Sequence, residues 1–212
     1  MISRVKSSFN KFNYVKIRSP FTSSFSSSAS TSTTTNSSLP EAYSTSMQLT
    51  HWLLGGAIIG CVGCVQGAIY TKDKKLKGDL MFYHKSFGLL SFGLLFPRIA
   101  ARVVSKIPEH VPGASWEVIA SKISHGLLYV FMIVMPVSGV VMGYYSGKGL
   151  PFFWQTIPGA AKPDGDTAKQ AFKIHKNVGT YLQYIIPIHV GAVGFHFIAQ
   201  GKNILPRMLS FR

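Results

Sequence analysis

Four stretches of the chain are apolar over a bilayer's thickness, and polar residues gather between them. The runs at about 49–70, 80–104, 121–144 and 171–199 match or exceed the roughly 20 residues an α-helix needs to cross ~30 Å of hydrocarbon. They predict four membrane helices joined in series, an all-α integral-membrane bundle. Lys72–Asp79 reads as a solvated turn or a lipid-headgroup contact, and 107–116 as a Pro-bearing loop containing His110. Residues 146–173 form a long connector whose Pro151-Phe152-Phe153-Trp154 piece is expected to cap one end of the bundle at the interface. Asp164-Gly165-Asp166 lacks the remaining ligands of a calcium loop. Trp52 reads as an interfacial anchor.

Composition agrees. Hydrophobic residues make up 47% of 212, and mean hydropathy is +0.23. A net charge of +15 would suggest nucleic acid in a soluble protein. Here the basic residues crowd the N-terminus and the flanks of apolar runs, where membrane proteins keep them, so no nucleic-acid partner is expected. Residues 1–45 carry Arg4, Lys6, Lys11, Lys16 and Arg18, no acid before Glu41, and a Ser/Thr tract from Ser19 to Ser38. That is the composition of a mitochondrial or plastid transit peptide, or of a disordered tail. The expected organisation is a disordered, transit-like leader over 1–45 and a membrane domain over 46–212, placed in the mitochondrial inner membrane.

The candidate chemistry lies in histidines inside the apolar runs. His175 and His189 are fourteen residues apart, which on a helix leaves them roughly 40° apart in direction and about 21 Å apart in height. Ionisable residues within a bilayer are expensive and mark function. With serial crossings, His51, His125, His189 and His196 fall toward the side where the first helix begins (side A), and His84 and His175 toward the other (side B). The economical pairing is His51 with His189 and His84 with His175, leaving His125 and His196 together beside the first pair. The proposed helices lack interior carboxylates, which a lone zinc or di-metal site would want. Cys61 and Cys64 are followed by Val65, so the Cys-x-x-Cys-His signature of c-type haem is absent, and both read as small packing residues. Imidazoles alone suit haem iron, and two axial histidines leave no open position, which favours electron transfer over oxygen binding. Arg98, fourteen residues beyond His84, and Arg102 read either as propionate partners or as headgroup-snorkelling cations. The glycines of the first helix, Gly55, Gly56, Gly60, Gly63 and Gly67, serve close approach of another helix or of a flat macrocycle.

These residues resemble a known family. His51-Trp52 opening helix one, His84 with Gly88, Arg98 with Arg102, His125 with Tyr129 and Pro136, and the His175/His189 spacing are similar to the prokaryotic-type cytochrome b561 family. That family is a four-helix relative of the cytochrome b subunits of hydrogenases and formate dehydrogenases. The resemblance covers about 47–210. It implies two haems b, ligated by His51/His189 and His84/His175, and electron exchange with the quinone pool. Bacterial members are linked to superoxide oxidation coupled to quinone reduction. His125, His196 and the side-A arginines are then candidates for a quinone or proton site. The leader is a departure from bacterial relatives and implies an organellar member.

The expected function is a transmembrane di-haem b electron carrier coupled to ubiquinone, in its enzyme form a superoxide:ubiquinone oxidoreductase. The alternative is a non-catalytic haem-bearing anchor within a larger respiratory complex, and a third class is a haem-free structural subunit. Side B carries the greater number of basic loop residues, which would place it on the matrix side. The resemblance instead puts the termini there, and that orientation is the one expected.

Overall fold

The computed structural model describes residues 41–210; residues 1–40 of the transit-like leader lie outside them, while its last residues, Ser44 and Thr45, cap and open the first helix. The elements are α1 (Thr45–Tyr70), α2 (Lys74–Val104), α3 (Ser115–Tyr145), the short strands β1 (Leu150–Phe152) and β2 (Gln155–Ile157), α4 (Gly165–Gln200) and α5 (Pro206–Leu209). All four long helices are apolar enough to cross a membrane, as the hydrophobic runs required.

The helices begin earlier than the apolar runs do. Hydrophobicity marks the part in lipid, whereas capping marks where the helix starts. Ser44 caps α1 by accepting the Met47 amide at 3.4 Å. Asp73 caps α2 through the amides of Lys75 and Leu76 at 2.8 and 3.3 Å, so Lys74–Asp79 is helix and not a turn. Asp164 caps α4 through the amides of Asp166 and Thr167, each at 3.1 Å, and accepts the Thr167 hydroxyl at 2.6 Å. The hydroxyl and amide of Thr167 hold the Asp164 carboxyl below the usual aspartate range. The Asp-Gly-Asp segment is thus a helix start. His84, His125 and His175 become the eleventh residues of their helices, about 15 Å from each helix start. In particular, His125 does not sit in a first turn.

Burial is inverted relative to a soluble domain. Large apolar side chains face outward, Ile59 at 62%, Val103 at 77% and Ile198 at 84% exposed, while Gln48, Ser86, Ser91, Arg98 and Ser138 are buried. Lipid solvates the former, and the latter must find partners inside the protein. The serines do so by donating to helical carbonyls four residues back, Phe82, Phe87 and Val134.

Packing divides the bundle into two hairpins. α1 lies along α2 and α3 along α4, with a lighter α2–α3 contact, while α4 stands off from both α1 and α2. The Gln66 amide donates to Gln183 across this seam at 2.8 Å. At side A, α5 buckles the ends together. Trp52 Nε1 donates to the Met208 carbonyl at 2.6 Å, and the Arg207 guanidinium donates to the carbonyls of Glu41 and Glu109 at 3.0 and 2.5 Å.

The aromatic connector, for which the sequence predicts no strand, folds as an antiparallel hairpin, Leu150 opposite Ile157 and Phe152 opposite Gln155. Its turn places Phe153 at φ 46°, a left-handed conformation unfavourable for a non-glycine residue. Tertiary contacts hold it there. The Phe153 amide donates to Ser86 Oγ at 3.0 Å, the Ser86 hydroxyl lies 3.3 Å from the Pro151 carbonyl, and the Phe153 ring packs on Phe87 with centroids 5.4 Å apart. Ser86→Ala orphans the Phe153 amide and is expected to cost about 1–3 kcal/mol. Thermal unfolding in detergent measures the loss, and proteolysis should begin in the hairpin.

Candidate functional site

The intramembrane histidines meet across the seam in the pairs the spacing predicts. The rings of His51 (α1) and His189 (α4) have centroids 6.2 Å apart, and those of His84 (α2) and His175 (α4) 6.1 Å apart. Two imidazoles bonded to one metal from opposite sides, at about 2 Å per bond, have centroids roughly 6.3 Å apart. Both pairs therefore stand at the separation of trans axial ligands, and the gap that holds them apart is the gap between the hairpins. Among the described residues, no group of three or more His, Cys, Asp or Glu side chains could hold a metal ion. A two-imidazole site completes a metal only when a macrocycle brings the other four nitrogens, and haem fits this donor set.

Side B also carries the hydrogen bonds that such a site needs. His84 Nδ1 lies 2.9 Å from the Cys61 carbonyl, and His175 Nδ1 lies 3.0 Å from the Met135 carbonyl. A carbonyl only accepts, so Nδ1 carries the proton in both rings and each Nε2 is left with its lone pair. Metal-ligating histidines donate their second nitrogen in this way. Gly139 makes the His175 seat possible: a Cβ there would lie 3.2 Å from the ring. Hydrophobic patterning does not reveal these backbone acceptors. Ser138 was open to notice as a hydroxyl in the middle of an apolar run.

Side A is different in character. His125 (α3) lies nearer to His189 than His51 does, with ring centroids 5.5 Å apart, too close for a shared metal with both in axial positions. Arg98 is buried, at 8% exposure, and points inward. Its Nη1 donates to the Met47 carbonyl at 2.8 Å, and Tyr129 is a further polar neighbour. The guanidinium lies within electrostatic range of His51, His189 and His125. This decides against Arg98 as a snorkelling cation. Among the described residues Arg98 has no carboxylate partner, the ion pair formed there being Lys106–Glu41 at 3.6 Å. Arg102 is half-buried on the same end of α2 and faces His125 electrostatically.

His196 has partners of its own at the C-terminal end of α4. Its Nδ1 lies 3.1 Å from Gln200 Oε1, the Gln200 amide donates to Glu117 at 2.6 Å, and Lys202 donates to Gln200 Oε1 at 2.9 Å and to the Pro112 carbonyl at 2.6 Å. This chain ties the C-terminal end of α4 to the start of α3. Sequence reasoning missed Glu117 and Gln200 because their side chains come together only when antiparallel helix ends meet.

Comparison with known proteins agrees with this geometry. Residues 42–211 match the family described as prokaryotic cytochrome b561. The chain belongs to that family. An Escherichia coli protein named cytochrome b561 homolog 1 is 27% identical over 130 residues, 61% of this chain and 74% of its own length. Cytochrome b561 homolog 2 of the same organism is 26% identical over 184 residues, 82% of this chain and 94% of its own. A Yersinia pestis protein named probable superoxide oxidase CybB is 24% identical over 127 residues, 59% of this chain and 72% of its own. The chain is accordingly a multi-pass membrane cytochrome of the b type that carries electrons, and its cofactor is haem b.

The buried Arg98 charge calls for an anion at side A, and a haem carboxylate suits it. Arg98→Gln is expected to weaken haem retention. Haem content per polypeptide measures it.

Proposed function

We propose that this cytochrome b561 holds two haems b, one between His51 and His189 and one between His84 and His175, and passes electrons between them to ubiquinone. The observation that supports the reading best is the matched 6.2 and 6.1 Å centroid separations across one seam. Each haem, when bound, supplies a one-electron ferric/ferrous couple. The protein's part is positional: α4 contributes a ligand at each of two depths, α1 and α2 contribute the facing ligands, and the lipid-facing shell excludes water. Held by two histidines, such a group would offer small molecules no coordination site, and exchange would be outer-sphere.

The preferred enzyme form is superoxide:ubiquinone oxidoreduction. Two superoxide anions each lose one electron to become dioxygen, and ubiquinone gains two electrons and two protons to become ubiquinol. The Arg98, Arg102 and His125 group supplies positive potential where a haem propionate would sit. His125 and the His196–Gln200–Glu117 chain are the proposed quinone and proton site. The name of the Yersinia relative favours this form over a non-catalytic anchor in a respiratory complex. The leader composition favours the mitochondrial inner membrane, with the termini in the matrix.

A dithionite-reduced minus oxidised spectrum, with haem counted per chain, should give two b-type haems in the wild type and one in each of His84→Ala and His189→Ala. One haem in the wild type refutes the two-site reading.

Purified protein should be reduced by superoxide and reoxidised by a short-chain ubiquinone. Isolated mitochondria should import and shorten the full chain. Inertness toward superoxide, with a stable complex persisting in mild detergent, would replace the enzyme form with the subunit form.

A further inference from the structure

The side-B histidines are gripped by more than the two carbonyls. Cys61 Sγ lies 3.2 Å from His84 Nδ1, and Ser138 Oγ lies 3.1 Å from His175 Nδ1. Each of these groups has its own hydrogen directed elsewhere. The Cys61 thiol is placed to donate to the His84 carbonyl at 3.3 Å, and the Ser138 hydroxyl to the Val134 carbonyl at 2.7 Å. A lone pair of sulfur or oxygen is therefore what faces each Nδ1–H, beside the carbonyl that already accepts it. The two ligands are held alike from opposite hairpins, by α1 on His84 and by α3 on His175. Among the described residues no hydrogen bond to His51 or His189 corresponds to this, and their surroundings are the cations of side A instead.

We propose that Cys61 and Ser138 are positioning residues for the side-B pair, each a second acceptor that fixes its imidazole and sets the electron richness of the iron bound there. This rests on the reading of His84 and His175 as axial ligands. An acceptor at Nδ1–H moves the ring toward imidazolate, makes Nε2 a stronger donor and favours ferric over ferrous iron. Removing it raises the reduction potential. Cys61 is then more than a packing residue: its backbone and its side chain both act on His84. The absence of the same device at side A, together with the buried Arg98 charge there, sets side B as the lower-potential half and directs electrons from B toward A.

The test is a mediated spectroelectrochemical titration of the detergent-solubilised holoprotein, with haem counted first so that failure of the ligand assignment is seen separately. Wild type should titrate as two one-electron components. The lower one is assigned by its loss in His84→Ala. Cys61→Ala and Ser138→Ala should each raise that component by roughly twofold to tenfold in its reduction equilibrium, the size of one hydrogen bond, and leave the other in place. A tenfold change is ~59 mV for one electron. Cys61→Ser, which keeps an acceptor, should hold the component at or below its wild-type position. Two bound haems with neither potential moved, or with both moved equally, would overturn the proposal. So would assignment of side B to the higher component. Should an alanine variant lose its haem, Cys61→Ser and Ser138→Cys must retain it, and loss in these as well marks a packing role and sinks the inference.

Discussion

Two neutral imidazoles facing each other with unshared pairs are an unfavourable arrangement unless something electrophilic lies between them. At side B the tautomers are fixed by backbone carbonyls, so both His84 and His175 present Nε2 lone pairs into the same gap. The rest of the architecture serves that arrangement. α4 stands off α1 and α2, while within each hairpin the helices close up. Were the hairpins to pack tightly along the seam, the histidines would be driven together and the ligand geometry lost. Haem held across this seam would brace the interface where the helices touch least, and its binding would stabilise the folded state by linkage.

The lipid environment makes this economical. A soluble four-helix bundle of this kind would need an apolar core to hold together, and an open seam would collapse. Here the outward faces are solvated by acyl chains, so the interior is free to be sparse and polar. Ser86, Ser91 and Ser138 return their protons to their own helices, and Ser86 and Ser138 keep oxygen lone pairs for the hairpin amide and the His175 ring respectively. Among the described residues, the buried guanidinium of Arg98 has a carbonyl, a tyrosine and no acid as partners. In lipid that residual charge attracts an anion, which is what distinguishes side A from side B.

The two ends are closed by different means. At side A the short α5, Arg207 and Trp52 draw the chain ends over the Met47–Arg98 contact. At side B an aromatic hairpin with a left-handed Phe153 is pinned by one buried serine on α2. Both closures use hydrogen bonds from segments remote in the chain, so each depends on the four helices being assembled first.

The chain alone determined the number of crossings, their order, and the spacing of histidines along each helix, because hydrophobic length and the 3.6-residue turn are local properties. The fourteen-residue interval on α4, with the helices crossing in series, was enough to propose both pairs. Asp73 and Asp164 are cap-forming residues in the sequence, and they set the helix starts ahead of the apolar runs. Tertiary structure alone decided which way Arg98 points, that His125 crowds His189 while His196 belongs with Gln200 and Glu117, and that Cys61, Met135 and Ser138 hold the side-B rings. Those outcomes depend on rotation and offset between helices remote in sequence. A few degrees of helix rotation redirect a side chain from lipid to seam, and no local pattern in the chain encodes them.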